Sequence, residues 1–149
     1  MNLEELMVDS KAAWMDYPGC DGFEVEVANL SRKELIAMRK KCTTSKWDRK
    51  NRMMDETLDE EKFVKLFTKA TVKNWKGLKL KYLEDLILVD LKENDPESEL
   101  EFSGENAILL SSNSTEFDQW INEVVFDLAN FRGRTTRKTV GKTRQMAQE

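Results

Sequence analysis

The segment GFEVEVANL, residues 22–30, most constrains what this chain can fold into. Phe23, Val25 and Val27 alternate with Glu24 and Glu26, so an extended backbone sends the apolar set to one face and the acids to the other. Such a strand needs a sheet with one covered face, because alone it would leave its apolar face and both backbone edges in water. The turn-rich YPGCDG before it predicts a hairpin with an earlier strand around residues 11–15.

The rest of the apolar residues recur mainly at helical spacing. SRKELIAMRKKC (31–42) opens with Ser31 and Glu34 at capping-box spacing, aligns Leu35, Met38 and Cys42, and ends in basic residues that suit the helix dipole. TLDEEKFVKLFTKATVKNWKG (57–77) repeats the pattern with Thr57 and Glu60. Phe63, Leu66, Phe67, Ala70 and Trp75 lie on its apolar face, and Gly77 is its stop. A short helix is predicted from about Lys79 through Leu83, Leu86 and Ile87, then a short strand at LEFS (100–103). Ser103 caps a helix carrying Ala107, Leu109 and Leu110. In STEFDQWINEVVFDLANF (114–131), Phe117, Trp120, Ile121, Val124, Leu128 and Phe131 form one stripe behind a Ser114 or Thr115 cap. The sum is an α+β, mainly helical single domain over residues 1–131, with a small antiparallel β-sheet near its N-terminus.

Two stretches escape these periods. Residues 43–56, TTSKWDRKNRMMDE, are polar with only Trp47, Met53 and Met54 as large apolar groups, and both a mobile loop and a short edge strand fit them. Residues 132–149 have no apolar periodicity and read as a basic tail, disordered on its own. The tail sets six Lys and Arg against Glu149. With a whole-chain charge of −4, the first 131 residues therefore carry −9. A body this acidic repels phosphate backbones and disfavours nucleic acid as its ligand.

Composition removes several chemistries. The chain has no histidine, hence neither the commonest general base nor the commonest metal ligand, and no serine or cysteine has an imidazole to activate it. No catalytic residue, cofactor or metal site is expected. The acids around Asp59–Glu61 point in different directions on a helix and suit its N-terminal dipole. VGKT (140–143) resembles the end of a phosphate-binding loop, but Thr136 stands where the first glycine is required and no strand precedes it. Cys20 and Cys42 belong to no CxxC pair and read as reduced structural thiols. No window reaches the ~18 apolar residues of a membrane span. The start MNLEELMVDS lacks the regions of a secretory signal, so no membrane contact and a cytoplasmic setting are expected.

The order of four stretches says more. KAAWMDYPGCDGFEVEVANLSRKEL (11–35), KFVKLFTKATVKNWKGL (62–78) with its VxxWxGL-type ending, LEFSGENAILLSSN (100–113) and STEFDQWINEVVFDLANF (114–131) together resemble the tail assembly chaperones of long-tailed bacteriophages and prophages. Residues 43–56 match none of the family's signatures. The resemblance implies a non-enzymatic protein of the bacterial host cytoplasm that is made during virion morphogenesis and absent from the finished particle. Its implied partner is the phage tape measure protein, kept soluble while tail tube subunits gather around it. The major tail tube protein and a second copy of the chain are further candidate partners. Many relatives gain a second domain by a ribosomal frameshift near the end of the gene.

A chaperone for a long amphipathic helix needs apolar side chains offered reversibly at a surface. Methionine suits such a surface because it is flexible and polarizable, although core filling is its commoner use. The expected partner-binding residues are Met15, Trp47, Met53 and Met54, near the N-terminal sheet and within 43–56. Two other readings stay open: a structural tail or head–tail component of the virion, and a nucleic-acid-binding regulator using the basic tail.

Overall fold

A computed structural model describes residues 1–8 and 11–132. The tail beyond Arg132, including VGKT, lies outside the described residues. The elements run α1 (Leu3–Leu6), β1 (Ala12–Asp16), β2 (Glu24–Ala28), α2 (Arg32–Cys42), β3 (Thr43–Asp48), β4 (Met53–Leu58), α3 (Glu60–Thr71), β5 (Val72–Lys76), α4 (Leu80–Leu86), α5 (Gly104–Asn113) and α6 (Thr115–Val125), followed by a 3₁₀ turn at Leu128–Phe131. This is the α+β fold that the patterning predicts, with its antiparallel sheet near the N-terminus.

That sheet has the order β1-β2-β5. β1 and β2 form the hairpin across the YPGCDG turn, pairing Ala12 with Ala28 and Asp16 with Glu24. The inner face of β2 is fully buried at Phe23, Val25 and Val27, as the alternation requires. Over it close Phe67 of α3, Ala107 and Leu110 of α5, Phe117, Ile121 and Val125 of α6, and Phe131. The outer face is polar around Trp14, whose ring lies under Lys76 Nζ at 4.8 Å.

β5 departs from the sequence reading. VKNWK is the third strand, not the last turn of α3, and the helix stops at Thr71. Its pairing skips a residue: Asn74 faces Glu26 while Val72 faces Val27, leaving Lys73 as a bulge. The bulge turns Val72 and Trp75, three apart, to the same buried face, a spacing that mimics a helix in sequence. Trp75 is then fixed by donating from Nε1 to the Leu100 carbonyl at 2.9 Å.

Other differences are local. Asp59, not Thr57, caps α3, accepting from the Lys62 amide at 3.2 Å, and Thr57 belongs to β4. LEFS forms no strand; at its first residue the Leu100 amide donates to the Leu78 carbonyl, and the Leu80 amide donates to the Ser98 carbonyl, both at 2.8 Å, around an isolated antiparallel bridge of Lys79 with Glu99. The final helix ends at Val125, and Leu128 is exposed. There the Asp127 carboxylate accepts from the Ala129 amide at 3.1 Å, a local bond that competes with helix continuation. Where the capping signals were strongest they hold: both halves of the Ser31–Glu34 box form, and Ser103 and Ser114 cap α5 and α6.

Candidate partner-binding surface

Residues 43–58 are not a loop: they form a second, two-stranded sheet of β3 and β4 alone, in which each is an edge strand, separate from the main sheet. Each strand is too polar to have an inner face, so the hairpin is anchored at its ends. At the base, the Asp59 amide donates to the Cys42 carbonyl at 2.7 Å, closing the sheet where α2 ends and α3 begins. Lys62 Nζ reaches the Lys41 carbonyl at 3.0 Å, and Thr43 Oγ1 donates to the Arg39 carbonyl at 2.7 Å. At the tip, the Asp48 carboxylate accepts from the Lys50 amide at 2.9 Å and from Asn51 Nδ2 at 2.8 Å, and Arg52 takes the left-handed conformation with φ 49°. This Asx-type turn supplies the reversal without glycine. Bonds from Asn51 and Lys50 hold the Asp48 carboxyl below its usual range.

Between base and tip the arm is exposed on both faces, at 44–47 and 53–57. Trp47 pairs with Met54 across the strands, so the two share a face. Met53 stands opposite Asp48 on the other face. The three are 55%, 54% and 54% exposed, too open to be core. Met15 is elsewhere: on β1 of the main sheet, partly buried and packed against the core. The hairpin thus gathers three of the four residues singled out from the sequence, and Met15 is not part of it.

Charge adds a feature that residue-by-residue reading missed. Residues 39–52 hold seven Lys and Arg against Asp48, a net of +6 within an acidic body. Arg49, Lys50 and Arg52 sit at the tip, and Arg39 lies over the Phe63 ring at 5.1 Å. A second apolar surface was also missed: Leu3, Leu6, Met7 and Val8 are all exposed, and α1 buries none of its residues.

A cleft of about 450 Å³ opens between the β1–β2 turn and α6, lined by Tyr17, Pro18, Gly19, Glu116, Trp120 and Glu123 among others. Its floor is aromatic, with Tyr17 and Trp120 edge to face at 4.7 Å. The Tyr17 hydroxyl donates to Glu116 Oε2 at 3.1 Å. Burial first, then the charge of Glu116, pushes this phenol well above its ordinary range. Cys20, buried beside it, is a free thiol whose pKa burial also raises.

Among the described residues, no group of three or more His, Cys, Asp or Glu is placed to hold a metal ion, and no helix is long and apolar enough to cross a membrane. No curated protein and no solved structure matches the chain. A family model does: that of the YdaY prophage protein matches residues 31–142, from the cap of α2 through the hairpin, the helical layer and into the basic tail. With three quarters of its length covered by that match, the chain belongs to the YdaY prophage protein family.

Proposed function

We propose that this prophage protein is a tail assembly chaperone. It is a non-enzymatic binding protein of the host cytoplasm that keeps the tape measure protein soluble, promotes tail tube assembly around it, and is left out of the finished virion. The observation that carries this reading is the β3–β4 arm: a hairpin held at its base by two helices, with Trp47, Met53 and Met54 bare along its length. Prophage family membership and the four ordered motifs support it.

An apolar stripe of the tape measure helix would lie along Trp47 and Met54. Tryptophan supplies a large anchor and methionine adapts to successive turns of differing shape. Glu56 on the same face and the cations at the tip would set orientation through screened contacts. Because the arm offers two or three large apolar groups rather than a broad face, each engagement is weak and reversible, which release to the tail tube requires.

Co-expression of the full chain with the tape measure protein of the same prophage tests this. The wild-type chain should hold the tape measure in the soluble fraction, and Trp47→Ala/Met54→Ala should let it precipitate while the variant itself stays folded. Abundant copies of the chain in purified particles would instead make it a structural component. A second reading rests on one observation, the +6 of residues 39–52 beside an exposed Trp47, which is the composition of a single-strand nucleic-acid platform. Anisotropy of a labelled single-stranded oligonucleotide that rises on binding, falls steeply with salt and is lost in Trp47→Ala would transfer the assignment to nucleic acid.

A further inference from the structure

The β3–β4 arm is a two-stranded sheet, a size that is marginal in water when neither face is buried. Among the described residues, no strand pairs with either of its outer edges. The Asp59 amide donates to the Cys42 carbonyl at 2.7 Å, which makes Cys42 and Asp59 a hydrogen-bonded pair at the base of this ladder. Bonded and unbonded pairs alternate along an antiparallel ladder, so 44 with 57, 46 with 55 and 48 with 53 are bonded too. The amides and carbonyls of Ser45 and Trp47 therefore point away from β4, along an edge that is exposed from 44 to 47. Those of Met54 and Glu56 point away from β3 by the same rule.

Bare edges of this kind are templates for strand addition, and charge separates the two. β4 holds Asp55 and Glu56 and no cation, so two copies of that edge repel. β3 holds one cation and one anion, Lys46 and Asp48, on either side of Trp47, and that spacing is self-complementary. An antiparallel dyad through Trp47 sets Lys46 of each copy opposite Asp48 of the other. A dyad through Lys46 would oppose that lysine to itself, and one through Ser45 would set Arg49 against Lys41. The Trp47 dyad also suits the backbone: the outward amide and carbonyl of Trp47 meet those of the same residue in the second copy and exchange two hydrogen bonds.

We propose that two copies of this chain pair through β3 about Trp47, joining their arms into one four-stranded antiparallel sheet. Directly opposed residues share a face, so Met54 and Trp47 of one copy continue into Trp47 and Met54 of the other as a single row across the sheet. At about 4.8 Å between strands the row is about 14 Å wide, enough to seat a helix of about 10–12 Å diameter. The two indoles add an aromatic contact that a single arm lacks. Taking the row as the seat of the tape measure helix rests on the chaperone reading; the pairing itself does not.

The test is sedimentation velocity of the full chain from micromolar to near-millimolar concentration, where the mass should rise from the 17.4 kDa of one chain towards twice that value. Amide hydrogen exchange over the same range identifies the edge: the Trp47 amide should slow as the chain pairs, while the Met54 amide stays fast. Lys46→Glu/Asp55→Lys keeps opposite charges across its own hairpin but sets an acid against Asp48 of the second copy, so this variant should stay monomeric where the wild type pairs. A wild-type chain that is monomeric throughout would overturn the proposal. So would a dimer that the double substitution leaves intact, or one that protects Met54 instead of Trp47. None of these readouts involves the tape measure protein, so pairing without tape measure capture would count against the chaperone reading alone.

Discussion

Replacing Gly77 with alanine should be among the most damaging single changes in this domain, and its cost separates into two parts. Gly77 has φ 75°, a conformation that costs any L side chain about 1–2 kcal/mol. A Cβ placed there would also meet the Gly22 carbonyl, 1.9 Å from its oxygen and 2.7 Å from its carbon, in the turn that joins β1 to β2. Neither atom belongs to a flexible side chain, so the turn itself must shift, an overpacking cost of about 1–3 kcal/mol. The total is about 2–5 kcal/mol. At roughly 4 °C per kcal/mol for a domain of this size, that lowers Tm by about 8–20 °C. Gly19 provides the control: its φ is 86°, yet an added Cβ there has nothing within 4 Å. Gly19→Ala should lose only the conformational part, about 1–2 kcal/mol. Urea and thermal unfolding followed by tryptophan fluorescence measure both. If Gly77→Ala were no less stable than Gly19→Ala, the contact between the two turns would not constrain the fold, and the positioning of the cleft wall at Tyr17–Gly19 would need another cause.

The remaining predictions concern the arm and the caps. Trp47→Ala should leave the urea midpoint nearly unchanged, since a cross-strand pair is worth about 0.2–1 kcal/mol, while weakening tape measure capture at least about 30-fold if Trp47 is an anchor worth 2 kcal/mol or more. Asp48 has a folded pKa below its unfolded value of about 3.9, so its contribution to the hairpin is complete above that value and is lost as pH falls through the depressed folded one. Lys50 and Asn51 amide shifts followed downward from neutral pH should therefore stay constant to about pH 4 and move only below it. Ser114 ends α5 through its amide and caps α6 through its hydroxyl, which accepts from the Phe117 amide at 3.1 Å in a buried setting. Ser114→Ala should cost about 1–2 kcal/mol, read as a lower urea midpoint, and Ser114→Thr should recover most of it.

By itself the sequence determined the parts of this protein whose causes are local. Alternation over Phe23–Val27 set the strand and its buried face, and Ser31, Ser103 and Ser114 set three helix starts, because a cap needs only the backbone three residues on. The apolar poverty of 43–56 singled out Trp47, Met53 and Met54 without deciding between surface and core, and the structure leaves all three more than half exposed. Tertiary structure alone decided what depends on a distant partner. VKNWK is a strand because β2 offers it an edge, and the Lys73 bulge hides that strand behind a helix-like spacing. The 43–58 hairpin has no alternation to announce it, since neither face is buried; two helix ends and an Asx turn hold it instead. The cleft is the clearest case: Tyr17 and Trp120 are 103 residues apart in sequence, and only the packing of α6 on the β1–β2 hairpin brings their rings to 4.7 Å in one cleft that Glu116 and Glu123 also line.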